Sequence, residues 1–441
     1  MKSIWSEKVD MPTFNAPEGD KRYDVLIIGG GIAGILTAYM LKKKGVSYAL
    51  IEADRICGRT TANTTAKITA QHALIYEKII NGFGTQVAKK YYEINSRAIF
   101  EYRRLAENIE CDFKDESAFV YSCTSRDKLE REARAYEKAG IPFKFHESLN
   151  LPISVAGALE MENQAQFHPL KFISSLAKDL NIFENTRALK ISGGTVITNR
   201  GNFFAERIIV ATHFPFINSH GLYFMKMYQE RSYVMALEGA EDVFGMYIDE
   251  KKGGFSFRNH EGLLLLGCGG HRTGEKNESL KTLADFKEKY YKNSTVKEEW
   301  ATQDCITLDG IPYVGRYSAL SPNLFVATGF NKWGMTSSMS AALILADLVT
   351  DRENEYASIF SPSRSIFNKS LLSNIKESAK GLITFKAPRC PHLGCALKYN
   401  KSEHSWDCPC HGSRFTEDGA LIDNPANKDK PSLQNEGGSH A

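Results

Sequence analysis

Residues 24–34 read Asp24-Val-Leu-Ile-Ile-Gly29-Gly-Gly31-Ile-Ala-Gly34. The aliphatic run 25–28, closed by glycines, marks a short buried strand. Residues 35–44 then read as a helix that stops at Gly45, and 47–51 as a second strand closed by Glu52. A lone G-x-G-x-x-G is a weak signal, and a glycine-rich turn in an unrelated α/β domain is the plain alternative. Here a strand precedes it, a helix follows, and the acid Glu52 ends the strand after that, which favours a dinucleotide cradle. Gly29 permits the tight turn, Gly31 lets the backbone approach a pyrophosphate, and Gly34 lets the helix pack close to the strand. The helix N-terminus offers free N–H groups and partial positive charge to phosphate, and Glu52 can accept hydrogen bonds from ribose hydroxyls.

Working outward, helices are expected at 86–108, 125–139, 170–180, 280–292 and 334–349. The last has a small-residue face (Ser337, Ser340, Ala341, Ala342). Strands are expected at 207–211, ending in Thr212-His213, and at 323–328. Residues 220–275 alternate aromatic and polar positions and read as antiparallel sheet. Residues 1–22 read as a surface extension, 361–380 as a polar amphipathic linker helix, and 426–441 as a frayed end.

The cradle occurs once, since Gly267-Cys-Gly269-Gly270-His-Arg272 does not complete the pattern. A flavin reductase fed by a nicotinamide cofactor normally needs two, so one cradle favours bound FAD that takes electrons directly from a substrate. The stretch Gly58-Arg-Thr60-Thr61-Ala-Asn63-Thr64-Thr-Ala-Lys67 offers hydroxyls and N–H groups to it. Asp309-Gly310-Ile-Pro312-Tyr-Val-Gly315 precedes the strand at 323–328 and then Gly329-Phe-Asn-Lys332-Trp333-Gly334-Met335-Thr336. A helix starting at Gly334 aims its positive end at what lies before it, which suits the negative charge of a reduced flavin.

On these segments, residues 23–350 resemble the D-amino-acid-oxidase, glycine-oxidase and sarcosine-oxidase superfamily of FAD enzymes. The resemblance implies oxidation of a C–N bond of an amino acid or amine by hydride transfer to flavin, and a substrate domain built on antiparallel sheet. It also implies cofactor contacts at Gly29, Gly31, Gly34, Glu52, Gly58, Thr60, Thr61, Asn63, Thr64, Thr212, Asp309, Gly329, Gly334, Met335 and Thr336. Substrate identity does not carry over.

Of nine cysteines, Cys390, Cys395, Cys408 and Cys410 crowd together near the C-terminal end. Such clustering reads as a metal site, not a disulfide framework. Cys390-Pro-His392 and Cys408-Pro-Cys410-His411 pair two Cys with two His, which alone would suit structural zinc. Cys395 and Cys410 are surplus to a four-ligand zinc site and sit in both loops, which argues against zinc. Residues 388–425 resemble the Rieske [2Fe–2S] module. That resemblance assigns Cys390 and Cys408 to one iron, His392 and His411 to the other, and a disulfide to Cys395 and Cys410. Ser413 matches the serine that hydrogen-bonds a cluster sulfur. Phe415 stands where high-potential members carry tyrosine, so a lower potential is expected. Only the stretch from Thr350 to Pro388 separates the last FAD-domain helix from the module, too short for a full barrel. The cluster loops are therefore expected to lean on the FAD domain at one fixed position.

The fold class expected is α/β (α+β overall): a Rossmann-like FAD-binding domain, an inserted antiparallel-sheet substrate domain and a small C-terminal Rieske module. The expected division is an extension at 1–22 and an FAD domain at 23–80, 150–218 and 296–352. The substrate domain takes 81–149 and 219–295, followed by a linker at 353–387, the Rieske module at 388–427 and a disordered tail at 428–441. A hydrophobic fraction of 42% over 441 residues allows a sizeable core. The net charge of +3 argues against a nucleic-acid partner. Mean hydropathy is −0.32 and no apolar run spans a bilayer, so no membrane span is expected. The opening MKSIWSEKVDMPTF has no apolar h-region, so a cytoplasmic setting is expected.

Flavin takes two electrons and the cluster carries one, so the pair reads as a converter feeding a ferredoxin- or quinone-like carrier. A reductase running the other way, or a redox sensor, is the alternative. Sarcosine-type oxidases use a lysine on a substrate-sheet strand to activate O2. Leu263–Leu266 has none, which suggests a dehydrogenase unless Lys67 or Lys332 substitutes. Trp333, Lys332 and Lys67 are the candidate catalytic residues. His271 with Arg272 could bind a substrate carboxylate or form an exposed turn. Arg231 and Tyr233 could line the pocket or serve sheet packing, and Cys305 reads as a buried thiol.

Overall fold

The computed structural model describes residues 2–7, 9–365, 371, 374 and 387–430. The opening strand Lys21–Ile28 buries its second half completely (Val25 to Ile28). It pairs in parallel with Tyr48–Ile51 on one side and Gly201–Val210 on the other. Strand Leu324–Thr328 adds in parallel to Gly201–Val210, and Tyr313–Arg316 closes that edge antiparallel. Ile182–Phe183 closes the other. Strands buried on both faces need helices above and below. Helices Ile32–Lys43 and Gly334–Leu348 pack against one another on one face, and the small residues Ser337, Ser340, Ala341 and Ala342 permit the close approach. Helix Thr85–Ala106 lies beside them.

A second sheet runs in the order 295–307, 227–238, 263–272, 253–260, 246–249, 114–122, 157–166 and 67–68, with 144–146 paired beside 157–166. All its pairings are antiparallel except 246–249 with 114–122. Three of its strands, Lys67–Ile68, Gly157–Gln166 and Thr295–Thr307, fall in segments expected to belong to the FAD domain. The physical reason is nonlocal pairing. Thr295–Thr307 pairs with Met227–Glu238 although the strands 246–249, 253–260 and 263–272 and helix Ser279–Tyr290 lie between them in the chain, and no local pattern announces such a partner.

A third sheet of four short antiparallel strands, 398–400, 405–407, 414–416 and 421–423, carries the C-terminal module. The cysteine loops lie before and between these strands.

The N-terminal extension is no surface arm. Ile4 and Trp5 are buried, and Trp5 Nε1 donates to the Thr64 carbonyl at 2.6 Å. The start of the expected linker also packs, with Ile359 and Phe360 in the core and Arg364 paired to Asp309. Most of the expected 361–380 helix lies outside the described residues, as does the tail from 431. Lys430, expected in that tail, is buried, with its N–H on the Gly419 carbonyl. No helix among the described residues is long and apolar enough to cross a membrane.

Candidate functional site

The glycine turn is as tight as its sequence demands. Gly29 sits at φ +114°, and a Cβ there would lie 2.5 Å from the Ala211 carbonyl oxygen. A Cβ on Gly34 would lie 1.9 Å from the Gly29 oxygen. Glu52 braces the turn: Oε2 accepts the Gly30 N–H at 2.6 Å and Oε1 accepts the Asp54 N–H at 3.0 Å. Burial pushes the Glu52 carboxyl above its usual range, against those two hydrogen bonds. Helix Ile32–Lys43 starts here, and Thr61 Oγ1 accepts the Ile32 N–H at 3.1 Å.

A cavity of about 450 Å³ opens from this turn. Gly29, Gly31, Glu52, Gly58, Thr60, Thr61 and Thr64 form one end, and Thr212 and His213 lie on the same wall. The substrate sheet contributes Lys67, Ser232, Ser256, Thr302 and Asp304. The start of helix Gly334–Leu348 brings Lys332, Trp333, Gly334 and Met335. Asp423, Asn424, Ala426 and Asn427 of the C-terminal module complete the wall.

Trp333 is held in place. Its ring stacks on His72 at 4.9 Å and 13°. His72 Nε2 lies 2.7 Å from the Thr69 carbonyl and Nδ1 2.6 Å from the Tyr91 hydroxyl. A carbonyl only accepts, so Nε2 carries the proton and Nδ1 accepts from Tyr91. Burial pushes His72 down to about 3, so the ring is neutral. Lys67 Nζ donates to the Tyr247 carbonyl at 3.2 Å. Burial, with Arg258 nearby, pushes its ammonium down to about 7. Lys332 Nζ donates to Ser232 Oγ at 3.0 Å and lies 3.8 Å from Glu230.

Five residues expected to touch the cofactor stand behind the cavity wall. Gly34 packs on the Gly29 carbonyl. Asn63 Nδ2 donates to the Arg59 carbonyl. Asp309 is gripped by Arg364 through two bonds of 2.6 and 2.9 Å. Gly329, at φ +69°, leaves room for Thr307, whose Cγ2 would be 2.4 Å from a Cβ. Thr336 Oγ1 accepts the Thr69 N–H and donates to the Thr69 carbonyl, tying helix to sheet.

The two cysteine loops are built alike. Gly394 N–H donates to the Cys390 carbonyl and Gly412 N–H to the Cys408 carbonyl, each at 2.9 Å. Both glycines have positive φ, +76° and +88°, which turns each loop back on itself. Cys390 and Cys408 are buried and hydrogen-bonded to each other, with Ser413 bonded to Cys390. Hydrogen bonds among Cys390, Cys395, Cys408 and Cys410 couple the four thiols, lowering Cys408 and raising Cys390. The His392 and His411 rings lie 5.0 Å apart at 84°. Nδ1 of both is buried without a hydrogen-bond partner. Two thiols and two unsatisfied imidazole nitrogens fit a two-iron cluster, which would remove the cost of leaving those nitrogens bare. The Sγ atoms of Cys395, Cys408 and Cys410 lie within 4.8 Å of one another. No S–S bond joins Cys395 to Cys410 here, and that disulfide stays a proposal.

The module is fastened to the substrate sheet by Gln229 and Gln303, which the sequence did not single out, and by Arg231, Tyr233 and Arg272, which it weighed for other roles. Gln229 Nε2 donates to the carbonyls of His411 and Asn424, both at 2.8 Å. Gln303 Nε2 donates to Gln229 Oε1 and to the Gly412 carbonyl, again at 2.8 Å. Arg272 donates to the carbonyls of Pro409 and Cys410 at 2.7 and 2.6 Å, so it is not a substrate-carboxylate ligand. Arg231 pairs with Glu403 (Nε to Oε1, 2.7 Å), and Tyr233 donates to the same carboxylate at 2.9 Å. Asn424 Nδ2 reaches the carbonyls of Thr212 and Phe214. Only the cross-strand position of Gln229, Arg231 and Gln303 could have signalled this, and that position requires the sheet register.

Residues 24–348 match the family of FAD dependent oxidoreductases (DAO), and residues 365–434 match the Rieske [2Fe-2S] domain. The chain is 37% identical to a putative Rieske 2Fe-2S iron-sulfur protein, YhfW, of Bacillus subtilis (strain 168), over 97% of this chain and 96% of that one. Over 37 residues it is 46% identical to cytochrome b6-f complex iron-sulfur subunit 3 of a Nostoc species, which is 8% of this chain and 21% of that one. Among solved structures, glycine oxidase from Geobacillus kaustophilus superposes with a TM-score of 0.65 at 21% identity, over 78% of this chain and 100% of that one. L-proline dehydrogenase from P. horikoshii superposes with a TM-score of 0.66 at 18% identity, over 79% and 98%. At such identities the superpositions speak for the fold.

Proposed function

The chain belongs to the family of FAD-dependent oxidoreductases (DAO) and carries a Rieske [2Fe–2S] domain, and from that premise we propose a dehydrogenase-type enzyme. It oxidises a C–N bond of an amino acid or amine and passes the electrons singly to an external carrier. The observation that carries this reading is the shared cavity: the glycine turn, the substrate sheet and the Rieske module all line it. When bound, FAD supplies a two-electron hydride acceptor and the cluster a one-electron relay.

The protein's own residues prepare the site. Gly29 and Gly31, at the N-terminus of helix Ile32–Lys43, would cradle the pyrophosphate. Glu52 is already aimed by two backbone N–H groups and would take the ribose. Gly58, Thr60, Thr61 and Thr64 would line the cofactor's path. Gly334 and Met335 put a helix N-terminus at its far end. Trp333, fixed by neutral His72, would form an apolar wall that excludes water from the reacting bond. Cys390 and Cys408 would hold one iron, and His392 and His411 the other. Gln229, Gln303 and Arg272 keep the His411 loop from swinging away, which supports a cluster fixed relative to the cavity.

Strand Leu263–Arg272 carries no lysine. The ammonium of Lys332 is matched by Glu230 and Ser232, which supports the dehydrogenase assignment. The domain division we propose follows sheet membership, with strands 67–68, 157–166 and 295–307 in the substrate unit. The test is anaerobic mixing of the holoenzyme with a panel of amines and amino acids. Flavin bleaching followed by loss of the oxidised cluster spectrum is expected. A panel that bleaches neither, while dithionite bleaches both, refutes the reading.

A further inference from the structure

Among the described residues, five acids lie on the cavity wall: Glu52, Asp249, Glu250, Asp304 and Asp423. Four have partners. Glu52 takes the Gly30 and Asp54 N–H groups, Asp249 the Lys251 N–H, Glu250 the Lys128 ammonium and Asp423 the Arg414 guanidinium. The carboxylate of Asp304 has no hydrogen bond and no ion pair among the described residues. It projects from strand Thr295–Thr307 directly across from Glu230 on Met227–Glu238. Glu230 is satisfied there by the Tyr228 hydroxyl at 3.1 Å and the Lys252 ammonium at 2.5 Å. The Lys332 ammonium donates to Ser232 and lies 3.8 Å from Glu230, and it makes no hydrogen bond or ion pair with Asp304. A half-buried carboxylate without a partner is costly to hold, and a cation or a proton removes that cost.

The arginines of the wall point the same way. The three that line it each face an acid: Arg55 with Glu184, Arg59 with Asp54 and Arg187 with Asp54. Among the described residues no guanidinium on the wall stands without an acid to receive a substrate carboxylate, whereas one carboxylate stands open to a substrate cation.

We propose that Asp304 anchors the substrate through its ammonium group and takes one of its protons. This rests on the amine-oxidation reading above and narrows it: the substrate enters as a cationic primary or secondary amine. In the step itself an N–H bond breaks, an O–H bond forms on Asp304, and the nitrogen lone pair is freed. No electron leaves the substrate until the adjacent C–H bond is oxidised. Burial pushes the Asp304 carboxyl up to about 7, against the nearby Lys332 ammonium. A carboxyl in that range exchanges protons at neutral pH.

The test uses two ligands that share a tert-butyl group on the FAD-loaded full-length enzyme. tert-Butylamine is cationic and has no α C–H to oxidise; pivalate is its carboxylate counterpart. Flavin difference spectra at neutral pH report the binding of each. The wild type is expected to bind tert-butylamine. Asp304→Asn is expected to weaken that binding at least about tenfold at unchanged flavin content, and Asp304→Glu to restore it. A Kd for tert-butylamine in Asp304→Asn within about twofold of wild type overturns the proposal, as does a wild type that takes pivalate and not the amine. If tert-butylamine binds through Asp304 while no amine of the panel bleaches the flavin, the anchor stands and the C–N reading fails. If panel amines bleach wild type and Asp304→Asn equally, the reverse holds.

Discussion

Glu403→Gln tests how the Rieske module is held. The Glu403 side chain is 8% exposed, and its charged partners Arg231 and Arg414 are 5% and 6% exposed. Its carboxylate takes Arg231 Nε at 2.7 Å, Arg231 Nη2, Arg414 Nη2 at 2.8 Å and the Tyr233 hydroxyl at 2.9 Å. Arg414 keeps Asp407 and Asp423 at 3.0 and 3.1 Å in the variant. Among the described residues Arg231 keeps only Asp423 as an ion-pair partner, at 3.9 Å. Breaking a buried pair by removing one charge costs roughly 3–5 kcal/mol, and the residual Asp423 contact argues for the lower end, about 3 kcal/mol. That shifts a docking equilibrium by roughly a hundredfold.

Arg231 lies on the substrate sheet and Glu403 in the module, so the loss should fall on docking. Denaturant titration of the holoenzyme, followed by cluster circular dichroism and flavin fluorescence, should show the cluster signal failing well before the flavin signal in Glu403→Gln. Adding Arg231→Met should recover most of the loss, because the stranded charge is gone. The pH dependence has a definite sign. Burial alone would raise the Glu403 carboxyl, but Arg231 and Arg414 outweigh it and hold the group below its usual range. A carboxyl depressed on folding stabilises the docked state above its unfolded pKa, about 4.3, and loses that stabilisation as pH falls through the folded value. Docking in the wild type should thus weaken in acid below about pH 4, with no change near neutrality. A stability of Glu403→Gln within about 0.5 kcal/mol of wild type, or a flavin signal failing together with the cluster, refutes the reasoning.

Two further outcomes are expected. Gly34→Ala drives a methyl group into the Gly29 carbonyl, 1.9 Å away, so the cradle must open; purified variant should retain well under half of the wild-type flavin by absorbance, with the cluster spectrum intact. Phe415 is fully buried among the cluster cysteines. Phe415→Tyr adds a donor there worth about 1 kcal/mol to the reduced cluster, so redox titration should find the potential raised by about 40 mV; an unchanged potential would remove the hydroxyl from the argument.

Local chemistry was readable from the chain. Gly29, Gly31 and Gly34, with Glu52 behind them, form a turn whose pattern is local in the chain, and the structure answers it with the Gly34 approach to the Gly29 carbonyl and the Glu52 bond to Gly30, while Gly29 itself packs on the distant Ala211. The cysteine–histidine loops were readable for the same reason. Asp309 and Thr336, expected at the cofactor, lie in a segment that borders the cavity and are held by protein partners. Whether a side chain faces in or back depends on a partner elsewhere, Arg364 for one and Thr69 for the other. Trp5, 59 residues from the Thr64 carbonyl it binds, left no pattern at all.

By itself, then, the order of residues determined which prosthetic groups this protein is built to hold, because backbone turns and ligand spacings are short-range matters. Tertiary structure decided which strands share a sheet, and that the Rieske module walls the same cavity as the glycine turn. It also decided that Asp304 would be the acid left without a partner. Those outcomes depend on contacts between residues as far apart as Gln229 and His411, whose meeting is set by sheet register and packing and by no feature either segment carries alone.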